Sequence, residues 1–139
     1  MNTLYISLLL LSIISIAMAT SPFVGEWNLV EVHDENDAIV TIPDGSFVMR
    51  VEEGKDEKSL KFNFKIGNRL RGNIQIQDDG SVTVGPIMST MMMPPEPIWK
   101  LETFANNGLQ KVTEMVKETD ASLELKGEGG RFKFDLVEQ

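Results

Sequence analysis

Residues 67–104 read GNRLRGNIQIQDDGSVTVGPIMSTMMMPPEPIWKLETF, and this stretch decides the fold. Its first part alternates apolar and polar residues, which predicts β-strands with one buried face. Asp79-Gly80 lies between two alternating runs and predicts a hairpin turn. Prolines at positions 94, 95 and 97 cannot continue a strand ladder, although Pro97 suits the first turn of a helix. The stretch therefore predicts two paired strands, a proline segment and a short helix.

The short helix is predicted after Pro97 because apolar residues recur there at helical spacing. This apolar stripe consists of Ile98, Leu101, Phe104 and Ala105. The sequence Asn-Asn-Gly at 106–108 predicts the end of the helix, with Gly108 as its C-terminal cap.

The two-residue alternation continues on both sides of the opening stretch, with turn-forming residues between the runs. The apolar faces are formed by Phe47, Met49 and Val51, by Leu60, Phe62, Phe64 and Ile66, and by Phe132, Phe134 and Leu136. We expect a mainly β fold: a strongly curved antiparallel sheet or small calycin-like β-barrel with one short α-helix packed against it. The bulk of the phenylalanines favours a filled interior.

The first 19 residues predict a secretory signal peptide. Residues 4–16 are almost wholly apolar, and Ala17 and Ala19 put small residues where a signal peptidase reads them. The apolar run is shorter than the roughly 20 residues that span a bilayer, so a retained anchor is the weaker alternative. We expect cleavage after Ala19, a single mature domain over residues 20–139, secretion, and no stable membrane insertion.

Composition excludes several classes of protein. The chain has no cysteine, so neither a disulfide nor a lipid-modified N-terminal cysteine can form. The net charge of −8 falls entirely on residues after position 19. Because an acidic domain repels phosphate backbones, nucleic acid is not an expected partner. We expect a monomer whose partner, if it has one, is another protein.

Four short motifs occur in a characteristic order along the mature chain. They are Gly25-Glu26-Trp27 in the opening strand, Asn68-Arg69-Leu70-Arg71-Gly72 at a turn, Ser89-Thr90 before the methionines, and Leu123-Glu124-Leu125 near the end. In this order they resemble the META domain family, which includes the bacterial HslJ heat-shock protein and META proteins of protozoan parasites. The resemblance extends from about Phe23 to Leu136.

The resemblance implies structural roles for the motif residues Gly25, Trp27, Asn68, Arg69, Gly72, Ser89 and Thr90. It also implies links to stress response and virulence. Bacterial members often carry cysteine near the Asn-Arg turn and after the Ser-Thr segment, whereas this chain has none. Its methionine-proline run is more similar to the parasite members.

The first strand is also similar to that of lipocalins and fatty-acid-binding proteins, in which a Gly-x-Trp packs across the closed end of a barrel. A lipocalin-like carrier of a small hydrophobic ligand is therefore the alternative function. Residues 33–40 are too short and polar to supply the two helices of a fatty-acid-binding protein. We favour the structural interpretation of Trp27, because function depends on sites rather than on the fold.

Met91, Met92 and Met93 form a run in which a soft metal could be considered, since thioethers bind Cu(I). Successive side chains of an extended segment point to opposite faces, so the three sulfurs cannot easily meet at one ion. We expect the run to be an interaction surface or a packing element, with no metal and no cofactor.

Catalytic chemistry finds little support in the sequence. The single histidine, His33, precedes a run of carboxylates whose spacing does not match a calcium loop, and a solvated loop explains the run better. Ser89 and Thr90 lack the turn of an activated serine, and we expect them to satisfy backbone groups instead. We expect no enzyme, but a secreted protein that acts through surface contacts.

Overall fold

The computed structural model describes residues 21–138, so the predicted signal peptide lies outside the described residues. The strands are β1 (Gly25–His33), β2 (Val48–Glu53), β3 (Ser59–Lys65), β4 (Arg69–Ile76), β5 (Val82–Val84), β6 (Met88–Ser89), β7 (Val112–Thr119), β8 (Ser122–Gly127) and β9 (Gly130–Leu136). One helix, α1 (Glu96–Leu109), separates β6 from β7 in this part of the chain. Among residues 21–138, no helix is long and apolar enough to cross a membrane.

The strands form one antiparallel sheet that curves into a nearly closed barrel. Eight of them follow the order β5-β4-β3-β2-β1-β9-β8-β7, and β6 pairs with β4 beyond the end of β5. The edge strands β5 and β7 approach each other without forming a ladder. This arrangement confirms the predicted fold class. The hairpin predicted at Asp79-Gly80 joins β4 to β5, and Gly80 takes a positive φ of 88° in the turn.

Large apolar side chains fill the interior of the barrel. The five phenylalanines expected to point inward are all buried, namely Phe47, Phe62, Phe64, Phe132 and Phe134. The rings of Phe64 and Phe134 meet edge to face with their centroids 5.6 Å apart. Because two strands, β2 and β1, separate β3 from β9 in the sheet, these rings can meet only if the sheet is strongly curved.

Helix α1 packs its apolar stripe against this core. Leu101, Ala105 and Leu109 are buried, and the ring centroid of Phe104 lies 5.7 Å from that of Phe132. The helix begins as predicted, with a proline in its first turn.

The predicted end of the helix is wrong. Gly108 lies inside the last turn, and Gln110 is the C-terminal cap. Gly108 is small for a packing reason, because a Cβ there would lie 2.9 Å from the ring of Phe132. The close approach of the helix to β9, rather than a change of backbone direction, therefore explains this glycine.

Trp27 and Gly25 fix the start of β1. The indole of Trp27 is buried, and its Nε1–H donates a hydrogen bond to the carbonyl oxygen of Phe23 at 2.9 Å. Gly25 has a φ of 152°, which side chains rarely adopt, and a Cβ there would contact Leu136. The Nζ of Lys117 lies 5.8 Å from the indole centroid, within the range of a cation–π contact.

Gly72 in β4 lies directly opposite Phe62 in β3. The ring of Phe62 covers the glycine so closely that a Cβ at position 72 would lie 2.7 Å from two of its carbon atoms. The glycine of the Asn-Arg-Leu-Arg-Gly motif therefore makes room for an aromatic ring on the neighbouring strand.

We predict that truncating Trp27 or Phe62 to alanine lowers the free energy of unfolding by about 3–5 kcal/mol, the usual cost of deleting a large buried aromatic side chain. The matched control is Lys61→Ala, next to Phe62 but on the exposed face of β3. This substitution is expected to change the free energy of unfolding by less than about 0.5 kcal/mol. Denaturant melts measure both. Equal losses at Phe62 and Lys61 would contradict the observed strand register.

Candidate functional site

The side chain of Asn68 connects the β3–β4 turn to the segment that follows β6. It is only 4% exposed. Its Oδ1 accepts hydrogen bonds from Thr90 Oγ1 at 3.0 Å and from the backbone N–H of Met92 at 2.6 Å. Its Nδ2 donates to the carbonyl oxygen of Met92 at 3.1 Å and to Glu102 Oε2 at 2.8 Å. The amide thereby uses both of its donors and both of its acceptor positions.

Glu102 on α1 is the second member of this network, and it is 7% exposed. Its Oε1 accepts hydrogen bonds from the backbone N–H groups of Gly67, at 3.1 Å, and of Asn68. With the bond from the Asn68 amide, three donors compensate the burial of one carboxylate. The helix and the β3–β4 turn are therefore joined by a charged group, in addition to apolar packing.

Sequence reasoning missed Glu102, although a signal was present. The residue lies four positions after Ile98 and three before Ala105, so it belongs to the apolar face of α1. A carboxylate at such a position needs buried donors, and the turn supplies them.

Thr90 joins the network through its hydroxyl, while Ser89 does not. Thr90 Oγ1 accepts a hydrogen bond from the backbone N–H of Arg69 at 3.0 Å, in addition to its own donation to Asn68. Ser89 Oγ donates to the carbonyl oxygen of Thr90 at 2.9 Å. The structure thus brings together the Asn-Arg turn and the Ser-Thr signature, whereas Gly25, Trp27 and Gly72 lie elsewhere in the sheet.

The three consecutive methionines, residues 91–93, leave this network with their side chains in solvent; we call them the methionine segment. Met91, Met92 and Met93 are 97%, 61% and 91% exposed. Both backbone polar groups of Met92 are bound by Asn68, and prolines follow at positions 94 and 95. The backbone of the segment is thereby held in place while its apolar side chains remain accessible.

A second group of polar residues surrounds His33 on the outer face of β1, β8 and β9. His33 Nε2 lies 2.8 Å from Glu31 Oε1, and this hydrogen bond is the main cause that lowers the pKa of Glu31. The hydrogen bond from Arg131 to Asp37 raises the pKa of Arg131, with a smaller contribution from Glu124. The carboxylates of this group therefore face basic side chains: Glu31 faces His33, and Asp37 and Glu124 face Arg131.

The carboxylate run after His33 is a loop, as expected. Asp34 Oδ1 accepts hydrogen bonds from the backbone N–H groups of Asn36 and Ala38, at 2.9 and 3.0 Å. Between residues 21 and 138, no group of three or more histidine or carboxylate side chains is arranged to hold a metal ion.

At the β4–β5 turn, hydrogen bonds from the Ser81 side chain and backbone lower the pKa of Asp79.

Comparison with known proteins agrees with this architecture. The model of a family described as META domain matches residues 21–138. The NMR structure of a protein from Burkholderia xenovorans is similar with a TM-score of 0.64 and 17% sequence identity, over 83% of each chain. At this identity the likeness shows the fold alone. No curated protein matches the sequence.

We predict that Asn68→Ala and Glu102→Gln each lower the free energy of unfolding by about 1–3 kcal/mol, because each leaves buried polar groups without partners. Asn68→Ala is also expected to speed hydrogen exchange of the Met92 amide, which loses its acceptor. Denaturant melts and amide exchange by NMR measure these effects.

The matched controls are Asn73→Ala on the exposed face of β4 and Glu96→Gln on the exposed face of α1. Both are expected to change stability by less than about 0.5 kcal/mol. A Met92 amide that exchanges equally fast in Asn68→Ala and in Asn73→Ala would contradict the role given to Asn68.

Proposed function

The chain belongs to the META domain family, and we propose that it is a secreted, non-enzymatic protein that binds another protein through its methionine segment. The observation that carries this proposal is the exposure of three consecutive methionines on a backbone that Asn68 holds. The family resemblance suggests that this binding serves stress response or virulence.

An exposed apolar run of this kind is unfavourable in water unless something covers it. Met88 and Trp99, which precede and follow the segment in sequence, are also exposed, at 75% and 47%. Methionine is common at contact surfaces, since its flexible thioether adapts to different partners. Because the backbone is already ordered, binding would order side chains alone, which lowers the entropic cost of association.

The positions of the hydroxyl groups support a role without catalysis. The Thr90 hydroxyl is already engaged with Asn68 and Arg69, and that of Ser89 with the Thr90 carbonyl. The ring nitrogens of His33 face Glu31 and Asp37, and among the described residues no hydrogen bond joins this histidine to either hydroxyl.

The alternative function, a lipocalin-like carrier, receives less support. The inward positions of the barrel hold large side chains, among them Trp27, Phe64, Phe132 and Phe134, each at most 1% exposed. A carrier needs that space for its ligand. We therefore propose that binding takes place on the outer surface. We also propose that the protein acts as a monomer, without a metal or a cofactor.

We predict that the double variant Met91→Glu/Met93→Glu folds normally but loses its partner. Both side chains are almost fully exposed, so charges there are expected to change the free energy of unfolding by less than about 0.5 kcal/mol. If the partner contacts this segment with apolar groups, binding would bury the two new carboxylates without an opposite charge or a hydrogen-bond donor. The measurement is affinity capture from the source medium and cell-surface extract with immobilised wild type and variant, quantified by mass spectrometry.

The matched control is Gln110→Glu/Thr113→Glu, which adds the same charge at two exposed positions near the end of α1 and in β7. It is expected to retain the partner. Loss of the same protein in both double variants would indicate a general charge effect and contradict the proposal. Sedimentation of the wild type tests for a second copy: a dimer that only the methionine variant dissociates would make the partner another copy of this chain.

The proposed secretion has its own test. The sequence predicts signal cleavage after Ala19, so mass spectrometry of the extracellular protein is expected to find an N-terminus at Thr20. An extracellular product that retains Met1 would contradict cleavage, and absence of the protein from the medium would contradict secretion.

A further inference from the structure

The outer face of β2, β3 and β4 is basic although the chain as a whole is acidic. The chain carries 21 acidic and 13 basic residues, for a net charge of −8. Five of those basic side chains lie on this face, all exposed, and we call them the basic face: Arg50, Lys61, Lys65, Arg69 and Arg71. The carboxylates that share the face are Glu26 from β1 and Glu52 from β2.

Strand register places the five cations in three adjacent rows. Arg50 and Arg71 lie on either side of Asn63 in one row. Lys65 is paired with Arg69 in the row on one side, and Lys61 lies in the row on the other side. Neighbouring rows are about 6.6–6.8 Å apart along the strands, and neighbouring strands about 4.8 Å apart.

Four of the five cations form no close ion pair among the described residues, although Glu52 lies directly opposite Lys61 in the strand register. Arg50 pairs with Glu26 at 2.8 Å, whereas the remaining four form no ion pair with any residue between 21 and 138. Lys65 and Arg69 are like charges directly opposite each other, an arrangement that destabilises a sheet. The cluster around His33, where charges are paired, shows that the fold can pair its charges on another face.

A groove of about 340 Å³ crosses the centre of the basic face. Three cations, Arg50, Lys61 and Arg71, and one carboxylate, Glu52, line it, and Pro86 and Met88 add apolar surface. Asn63 also lines the groove, between Arg50 and Arg71.

We propose that the basic face binds an acidic, extended peptide segment of a partner protein. In an extended chain alternate side chains point the same way about 6.6–6.8 Å apart, which equals the spacing of the cation rows. Carboxylates at alternate positions would then meet successive rows, while an apolar side chain contacts Met88. This site is separate from the methionine segment and does not depend on the function proposed for it.

An acidic peptide fits these features better than a membrane or a nucleic acid. Both of those are extended arrays of phosphates, which the net charge of −8 repels as the whole molecule approaches. A short peptide segment stays within the basic face, whereas an extended array of phosphates also comes within the screening length of about 8–10 Å of the acidic surface around that face.

The test uses fluorescein-labelled peptides of about eight residues and fluorescence anisotropy with the full mature chain. One peptide alternates glutamate and threonine, a second has the same composition with its glutamates in one block, and a third alternates lysine and threonine. We expect the alternating glutamate peptide to bind more tightly than the block peptide, and the lysine peptide not to bind. Raising the salt from 50 to 200 mM is expected to weaken binding.

Lys61→Gln/Arg71→Gln is expected to weaken binding of the alternating peptide by roughly fivefold, because two exposed ion pairs are lost. The matched control, Lys100→Gln/Lys111→Gln, removes the same charge from exposed positions on and just after α1 and is expected to stay within about twofold. Circular dichroism verifies that both variants fold.

Several outcomes would overturn the proposal. They are no binding of the alternating peptide, equal binding of the block peptide, or equal weakening by the two double variants. Vesicles containing phosphatidylserine provide a further arm. If they bind through Lys61 and Arg71 while the peptides do not, the basic face recognises a membrane instead.

Discussion

The hydrogen bonds between Glu102 and Asn68 determine how the outer parts of this molecule are arranged around the barrel. The carboxylate of Glu102 comes from the helix, the amide of Asn68 from the β3–β4 turn, and the backbone of Met92 from the segment between β6 and the helix. Because the Asn68 amide and the Glu102 carboxylate are buried, each needs hydrogen-bond partners from the other segments. The network therefore fixes the helix against the sheet and, through the same bonds, fixes the course of the methionine segment.

The interior of the barrel is filled with side chains, while its surface carries exposed methionines and cations without a close ion pair. Aromatic rings from β1, β3 and β9 occupy the space that a carrier would keep for its ligand. The two proposed binding sites therefore lie on the surface, which displays apolar groups at residues 91–93 and cations without a close ion pair on β3 and β4. The two surfaces differ in chemistry, one apolar and one basic, and they can be tested separately because their side chains lie on different segments.

Much of the fold could be predicted from local patterns. Alternation in residues 60–66 and 132–134 identified the buried faces of β3 and β9, because a strand presents alternate residues to opposite sides. Leu136, predicted on the same buried face, is 39% exposed at the end of β9, where the alternation of burial stops. The proline at position 97 located the start of the helix. The end of the helix was predicted wrongly, since the reason for a glycine at position 108 is the ring of Phe132, which is distant in sequence. Glu102 was missed for a similar reason, as its donors belong to another segment.

By itself, the sequence determined the element types, the inward phenylalanines and the exposed or buried status of most strand positions, because periodicity acts over a few neighbouring residues. Asn68 and Thr90 could be singled out as motif residues, but not brought into contact. Only the tertiary structure decided that they share hydrogen bonds with Glu102, that the methionines point into solvent, and that five cations lie on one face. These features depend on strand register and on the packing of the helix, and the hydrogen bonds of the network join residues more than 20 positions apart.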